Sequence, residues 1–270
     1  MADYDDEPLE ILNPTPAMMP VLESICTALG RLTAPDATLP AAWLWEELPA
    51  ADFAREAARF PLLLDGWPEG SLSHVAAAAE EDDLVHRLST ELGIMSSEDL
   101  DDRFKASIEG AGVAASYRKM LEAPSFSDLV RNENTIGWGG FDPISRDPEI
   151  EKRMRRQRIF CDYFRGAASW TQLRSWDAAS ACALIVEAMA AGMLSPASAA
   201  PYLRRAATEL AVRFLSWHEL AKGLLLARAF SALTQSEAAA HDAIARELDM
   251  LMKLLEGPWA AFPWPRIKTN

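Results

Sequence analysis

The sequence predicts an all-α protein, a multi-helix bundle in which an acidic N-terminal helical region packs on a C-terminal helical domain. Ala, Leu and Met dominate the apolar residues, and these favour helices more strongly than β-branched residues do. Apolar side chains recur at helical spacing, as at Leu100, Phe104 and Ile108. Capping residues precede such stretches, Gly or Pro follows them, and no segment alternates like a strand.

The first third of the chain predicts short helices separated by Pro and Gly. Residues 1–20 are acidic and proline-containing, which is typical of a loosely packed leader. An acidic helical region follows over 21–90, and a helical domain over 91–270. Helices are expected at about 20–32, 41–60, 73–92, 96–107 and 111–122, the fourth opened by a capping box that begins at Ser96.

The remainder of the chain carries clearer helix signals. Residues 132–148 hold several glycines and prolines and predict a long loop, followed by a basic helix over about 148–166. Later helices are expected to open at Ser169, Ser195 and Thr234–Glu237, and Gly192 and Gly257 to end two of them. The aromatic tail, 259–265, is expected to lie against the bundle.

Charge is distributed unevenly along the chain, whose net charge is −14. Residues 1–102 contain 22 acidic and 4 basic residues, whereas the remainder contains 18 acidic and 22 basic residues. A strongly negative surface disfavours nucleic acid and anionic lipid, and it accelerates association with basic proteins. Solubility alone is an equally good explanation of the acidic half.

The compartment is predicted to be the cytoplasm. The chain begins with acidic residues rather than a secretion signal, and no apolar run reaches the roughly 18 residues that span a bilayer. The three cysteines lack metal-ligand or disulfide spacing and predict buried thiols. The four histidines are isolated, so no metal or other cofactor is predicted.

Four short motifs resemble an uncharacterised bacterial family, "domain of unknown function 1266", over about residues 90–235. They are Leu92-Gly93-Ile94, Ser175-Trp176-Asp177, Gly192-Met193-Leu194-Ser195 and the stretch 214–220. The resemblance implies a helical fold and attaches no activity. Its motif residues in this chain are Trp176, Asp177, Gly192, Trp217, Glu219 and Arg228.

The chain departs from the family pattern at two motif positions. Ser180 stands where the family commonly has an arginine three residues after its Trp-Asp pair, and Ala227-Arg228 stands where it has Gly-Arg. Arg228, or another arginine, is therefore expected to replace the usual partner of Asp177.

Asp177, His218 and Glu219 are the candidate catalytic residues, because a carboxylate beside a histidine can perform acid–base chemistry in a hydrolase-like enzyme. Glu187 could lie near them. The competing interpretation is structural: acidic residues in the first helical turn complement the helix dipole. Trp176 and Trp217 would then be core anchors with hydrogen-bonded indole N–H groups.

The basic helix, residues 152–158, is the candidate nucleic-acid site because arginines alternate with nearby aromatic residues. Because the protein as a whole is acidic, nucleic-acid binding is the third hypothesis for its function. Intramolecular ion pairing, for example with the acidic N-terminal half, explains the same residues.

The leading hypothesis is a non-enzymatic protein-binding protein, specifically an immunity protein that neutralises a basic toxin in the bacterial cytosol. Aromatic residues flanked by acids are good hot spots for a basic partner. The candidate partner-binding residues are Trp43, Trp45, Glu46, Glu47, Asp82 and Asp83. The sequence leaves the oligomeric state open.

Overall fold

The computed structural model describes residues 10–33, 43–44, 50–67, 81–136 and 148–266, and it confirms the all-α prediction. The first six helices are α1 (Met19–Arg31), α2 (Ala50–Leu64), α3 (Glu81–Thr90), α4 (Ser97–Glu109), α5 (Val113–Glu122) and α6 (Phe126–Ile136). The others are α7 (Pro148–Phe164), α8 (Trp170–Ala190), α9 (Pro196–Arg213), α10 (Trp217–Ala232), α11 (Glu237–Glu256) and α12 (Pro258–Ala261). Two short segments, β1 (Trp43–Leu44) and β2 (Pro265–Arg266), pair in parallel.

Serine side chains cap the N-termini of several helices, and Ser96 and Ser195 do so as predicted. The hydroxyl oxygens of Ser96, Ser195 and Ser216 accept backbone N–H groups in the first turns of α4, α9 and α10. Each such cap stabilises a helix by about 1 kcal/mol. Ser236, rather than Thr234, is the N-cap of α11. Gly192 has a φ of 70° just after α8, which is the left-handed conformation that ends helices.

The centre of the fold is α8, which is buried along nearly its whole length. Helices α2, α5, α9 and α10 pack around it. Small residues such as Ala179 and Cys182 allow this close approach. Gly223 of α10 faces α8 so closely that an added Cβ would lie 2.5 Å from the Gln172 carbonyl oxygen. A helix that is apolar on all sides is expected in such a central position.

The N-terminal region packs on the C-terminal helices as predicted. Helix α1 lies against α11, and α2 lies against α8 and α9. Apolar residues from Met18 to Trp259 form one continuous core. The described part of the predicted leader is not loosely packed: Met18 is fully buried, and the Leu12 N–H donates to Asp162 Oδ2 at 2.9 Å. The domain boundary at residues 90–91 stays a prediction.

Aromatic residues of the C-terminal tail pack against the bundle, which confirms that prediction. The Trp217 and Trp259 rings stack with centroids 4.8 Å apart, and Phe53 lies 5.2 Å from Trp217. The indole N–H of Trp217 donates to the Phe262 carbonyl oxygen at 2.6 Å, and that of Trp264 to the Phe214 carbonyl oxygen at 2.9 Å. Each indole therefore combines apolar burial with a satisfied polar group.

Three local predictions were wrong. Helix α2 continues through Pro61, because burial of Phe60, Pro61 and Leu62 offsets the one backbone hydrogen bond that proline cannot make. Helix α6 extends to Ile136, into the predicted loop at 132–148, whose residues 137–147 lie outside the described part of the chain. Cys161 and Cys182 are buried, but Cys26 is exposed.

Among the described helices, none combines the length and apolar character that crossing a bilayer requires.

Candidate functional site

Asp177 caps a helix other than its own. It lies in the first half of α8 and is 5% exposed. One carboxylate oxygen accepts the Val113 N–H at 2.9 Å, and the other accepts the Ala114 N–H at 3.1 Å. Both N–H groups belong to the first turn of α5, where a negative charge also complements the helix dipole. The carboxylate that the sequence offers for catalysis is therefore occupied by a structural contact.

Close approach of the α5 N-terminus makes this contact possible. Gly112 precedes α5, and a Cβ there would overlap Asp177 Oδ1. Burial raises the pKa of Asp177, and the hydrogen bonds from Ala114 and Val113 partly oppose that rise. Burial of this carboxylate therefore costs desolvation free energy, and the two backbone hydrogen bonds offset that cost.

Asp177→Ala is expected to lower the free energy of unfolding by about 2–3 kcal/mol, because it leaves two helix-terminal N–H groups without their acceptor. Chemical denaturation followed by circular dichroism measures this loss. Glu219→Ala, which removes an exposed cap, is the matched control and should cost about 1 kcal/mol. Equal losses in the two variants would contradict the special role of Asp177.

Glu219 and His218 do not join Asp177. Glu219 is exposed, and its Oε2 accepts the Leu215 N–H at 2.7 Å, while its own backbone N–H donates to Ser216 Oγ. The pKa of His218 is lowered by burial and by the positive charge of Lys222, so this imidazole is neutral near pH 7. Neither residue lines the cleft beside Asp177. Glu219 lies in the first turn of α10, as the structural interpretation expects, but Asp177 lies beyond the first turn of α8 and caps α5 instead.

Arg228 pairs with Glu247 rather than with Asp177, so the first of the two expected alternatives, Arg228 itself, is wrong. Its guanidinium donates to both carboxylate oxygens of Glu247 at 3.0–3.3 Å, and it stacks over the Trp176 ring at 4.8 Å. Glu247 is fully buried. Trp176 therefore lies between this ion pair and Phe60, whose ring is 6.4 Å away. Arg174 supplies the nearby positive charge at Asp177.

Arginines of the basic helix, α7, bind the ends of other helices. Arg158 is fully buried and donates to the Met120 and Ala123 carbonyl oxygens at 2.7 and 3.0 Å. Arg156 donates to the Leu233 carbonyl oxygen, beyond the end of α10, at 2.9 Å. Uncapped carbonyls and the helix dipole make such ends attractive to cations. These arginines are thus held inside the molecule, mainly by backbone carbonyls rather than by the predicted acidic half.

A cleft of about 550 Å³ opens beside the Trp-Asp pair. Helices α4, α5, α7, α8 and α10 contribute to its wall. The residues that matter most for its chemistry are Arg103, Ser116, Gln157, Trp176, Ser180 and Ser231. Sequence reasoning missed this cleft, although it singled out Trp176 and Ser180 on its wall. No pattern within one segment could reveal it, because five helices meet there.

Acidic residues are exposed along α3, the turn 91–96 and α4. Asp83, Glu91, Glu98 and Asp102 are all exposed there, and this set is called the acidic surface below. Among the predicted partner-binding residues, only Asp83 has a described side chain. Trp45, Glu46 and Glu47 lie outside the described residues, as do the side chains of Trp43 and Asp82. Among the described residues, no cluster of His, Cys, Asp or Glu is suited to hold a metal ion.

Glu187 forms a separate buried charge cluster with Arg87. Its side chain is 3% exposed, and Oε1 lies 3.3 Å from Arg87 Nη1, while Arg87 Nη2 pairs with Asp65. Burial raises the pKa of Glu187 to about 7, against the opposing effect of Arg87; Asp65 and Glu91 add to the rise. The sequence pointed to Glu187 only as a neighbour of Asp177, and the structure pairs it with α3 instead.

The raised pKa of Glu187 predicts a fall in stability with rising pH. Between the ordinary pKa of 4.5 and about 7, the folded protein holds a proton that the unfolded chain has released. The stabilising contribution is therefore present at pH 4–5 and lost as pH rises through 7, by up to about 3 kcal/mol. Urea denaturation at pH 5–8 should show this slope, and Glu187→Gln should remove it. Glu122→Gln, which changes an exposed acid of α5 outside this cluster, is the control, and an unchanged slope in Glu187→Gln would contradict the assignment.

Comparison with known proteins gives one match. The family described as Protein of unknown function (DUF1266) matches residues 72–266, a span wider at both ends than the predicted 90–235. No curated protein matches the chain, and no solved structure does. The matched span includes α3 to α12, and with them the cleft and the acidic surface. Since this span covers well over half of the sequence, the chain belongs to the DUF1266 family of proteins of unknown function.

Proposed function

We propose that this protein is a non-enzymatic binding protein that recognises a basic protein partner through its acidic surface. Its specific form would be an immunity protein that neutralises a basic toxin in the bacterial cytoplasm. The net charge of −14 and the excess of acids before residue 103 support this choice of partner. Complementary charge raises association rates and disfavours wrong partners.

Exposed apolar side chains within the acidic surface are the observation that carries the proposal. Met95 is 76% exposed in the turn between α3 and α4, and Val85 on α3 is 43% exposed. Solubility alone would not require a large apolar side chain among acids. Apolar anchors surrounded by polar residues are typical of the energetic centre of a protein interface.

Arg103, which follows Asp102 on α4, is an exposed positive charge next to the acidic surface, whereas the other two basic residues of α3 and α4 are paired. Arg87 is directed to Asp65 and Glu187, and Lys105 pairs with Asp101 within α4. Glu91 lies 3.7 Å from Arg87 but is 69% exposed, so solvent weakens that pair. The exposed carboxylates therefore remain available to a partner's cations.

Affinity capture with two charge-reversed proteins tests this surface. The first variant changes Asp83, Glu91, Glu98 and Asp102 to lysine. Wild-type protein should retain a basic partner from cell extract, and retention should weaken as salt is raised to about 0.5 M. The variant should lose that partner. Purified partner and calorimetry then measure the loss of affinity, which is expected to reach at least about tenfold.

The control variant reverses an equal number of exposed acids elsewhere. It changes Glu122, Asp242, Asp249 and Glu256 to lysine. It alters net charge equally but leaves the acidic surface intact, so it should keep the partner. Equal loss of binding in both variants would reduce the effect to net charge and contradict the proposed surface.

Single substitutions separate the apolar anchor from the charges. Met95→Ser should weaken binding of the same purified partner by about tenfold, because it removes a side chain that becomes buried in the interface. Leu215→Ser is the matched control, since Leu215 is 73% exposed at the start of α10, away from the acidic surface. Unchanged affinity in Met95→Ser would remove the observation that carries the proposal.

A further inference from the structure

The cleft beside Trp176 carries a positive charge in a strongly acidic protein. Arg103 is exposed on its wall and, among the residues that the structure describes, forms no salt bridge. The other charged residue of the wall is Asp177, whose two oxygens are occupied by the N–H groups of α5. Arg103 is therefore the charge left for a ligand, and a guanidinium selects a carboxylate or a phosphate.

Hydroxyl groups in the same wall offer acceptors to a ligand. Ser116, Ser231 and Thr234 donate their own hydroxyl hydrogens to backbone carbonyl oxygens at 3.2, 2.9 and 2.7 Å. Their oxygens keep free lone pairs, so the ligand groups that they contact must be donors.

Two further polar groups of the wall are incompletely satisfied. Ser180 Oγ is buried and has no hydrogen-bond partner among the described residues. Gln157 is 6% exposed, and its amide nitrogen makes only a long contact of 3.5 Å with the Phe230 carbonyl oxygen. Buried polar groups without good partners cost free energy, which a hydrogen-bonding ligand would recover.

We propose that this cleft binds a small hydroxylated anion, either a sugar phosphate or a sugar acid. Arg103 contacts the anionic group, and the hydroxyl groups of the ligand donate to the serine and threonine oxygens of the same wall. The volume of about 550 Å³ lies within the range of small-molecule sites. None of the four acids of the acidic surface lines this cleft, although Arg103 directly follows Asp102 on α4.

Calorimetric titration of the full chain tests the ligand chemistry. The probes are ribose 5-phosphate and gluconate, with ribose and inorganic phosphate as the separated halves of the first. Ribose 5-phosphate or gluconate should bind more tightly than ribose or inorganic phosphate alone. A preference for ribose 5-phosphate over gluconate, or the reverse, then identifies whether the anionic group is a phosphate or a carboxylate. Absence of binding by both up to ~10 mM, the weak limit of specific recognition, would overturn the proposal.

Substitutions then locate the bound probe. Arg103→Gln should weaken binding of the anionic probe by about tenfold or more and leave binding of ribose unaffected. Ser116→Trp, at an exposed position of the wall, should fill the cleft and abolish binding of every probe. Arg204→Gln removes an exposed arginine outside this cleft and should change nothing. Thermal unfolding without ligand verifies that each variant folds. Binding that survives Ser116→Trp, or falls equally in Arg204→Gln, would overturn the assignment.

Discussion

Arg158→Met is expected to lower the free energy of unfolding by about 4 kcal/mol, enough to unfold a marginally stable domain. The side chains of Arg158 and Asp162 are fully buried and pair at 2.8 Å. The same guanidinium also donates to the carbonyl oxygens of Met120, Ala123 and Glu10. Removing it leaves a buried carboxylate with less compensation and several buried carbonyls without a donor. Urea denaturation followed by circular dichroism measures the change.

Arg155→Met is the matched control, because Arg155 lies on the same helix and its side chain is 49% exposed in a pair with Glu151. It should cost less than about 1 kcal/mol. The double variant Arg158→Met, Asp162→Leu should recover part of the loss, since it removes the stranded charge as well. If Arg155→Met and Arg158→Met lowered the free energy of unfolding equally, the burial of Arg158 would contribute nothing to stability.

Trp217→Ala is expected to lower the free energy of unfolding by about 4 kcal/mol, an effect comparable with that of Arg158→Met. The substitution removes the ring that stacks on Trp259 and contacts Phe53, and it removes the hydrogen bond to the Phe262 carbonyl oxygen. Since that bond ties the C-terminal tail to α10, the tail should also become susceptible to proteolysis. Denaturant unfolding and limited trypsin digestion with mass spectrometry measure the two effects.

Trp170→Ala provides the comparison for Trp217→Ala. Trp170 opens α8, is only half-buried and contacts Arg118 and Arg174 with its ring face. Its loss should cost about 1 kcal/mol and leave the tail protected. A protected tail in Trp217→Ala would contradict the role of that indole in holding residues 258–266.

Helix ends explain most of the residues that resemble chemical machinery. Asp177 binds the start of α5, Arg158 binds carbonyls at its end, and Arg174 donates to the Ile108 carbonyl oxygen at the end of α4. Each helix end has backbone groups without partners inside the helix. In a bundle of short helices, side chains from neighbouring helices satisfy these groups, and this places charged side chains in the interior.

This arrangement also bears on the partner and ligand proposals. Asp177, Arg158 and Glu247 are paired within the fold, whereas Arg103, Met95 and the carboxylates of the acidic surface are exposed. Exposed groups can exchange solvent for a partner at little cost to stability. Variants at these positions should therefore change binding without the large unfolding effects expected at Arg158 and Trp217.

Local signals in the sequence were sufficient for much of the fold. Ser96 and Ser195 predicted helix starts because a serine hydroxyl acts on N–H groups only three residues away. Apolar spacing predicted the faces that became the core. Proline was the weak signal: Pro61 predicted a break, but packing of the surrounding apolar residues keeps α2 intact.

The sequence by itself determined that the chain is helical, where most of its helices begin, that its tail packs on the bundle, and that its first part is acidic. Only the tertiary structure decided what Asp177, Arg158 and Arg228 do and that a cleft with one available arginine exists. The reason is distance along the chain: Asp177 lies 64 residues from Val113, and Arg158 lies 148 residues from Glu10. A capping serine meets its partner within one turn, but these contacts depend on which helix ends meet, and that is set by packing of the whole bundle.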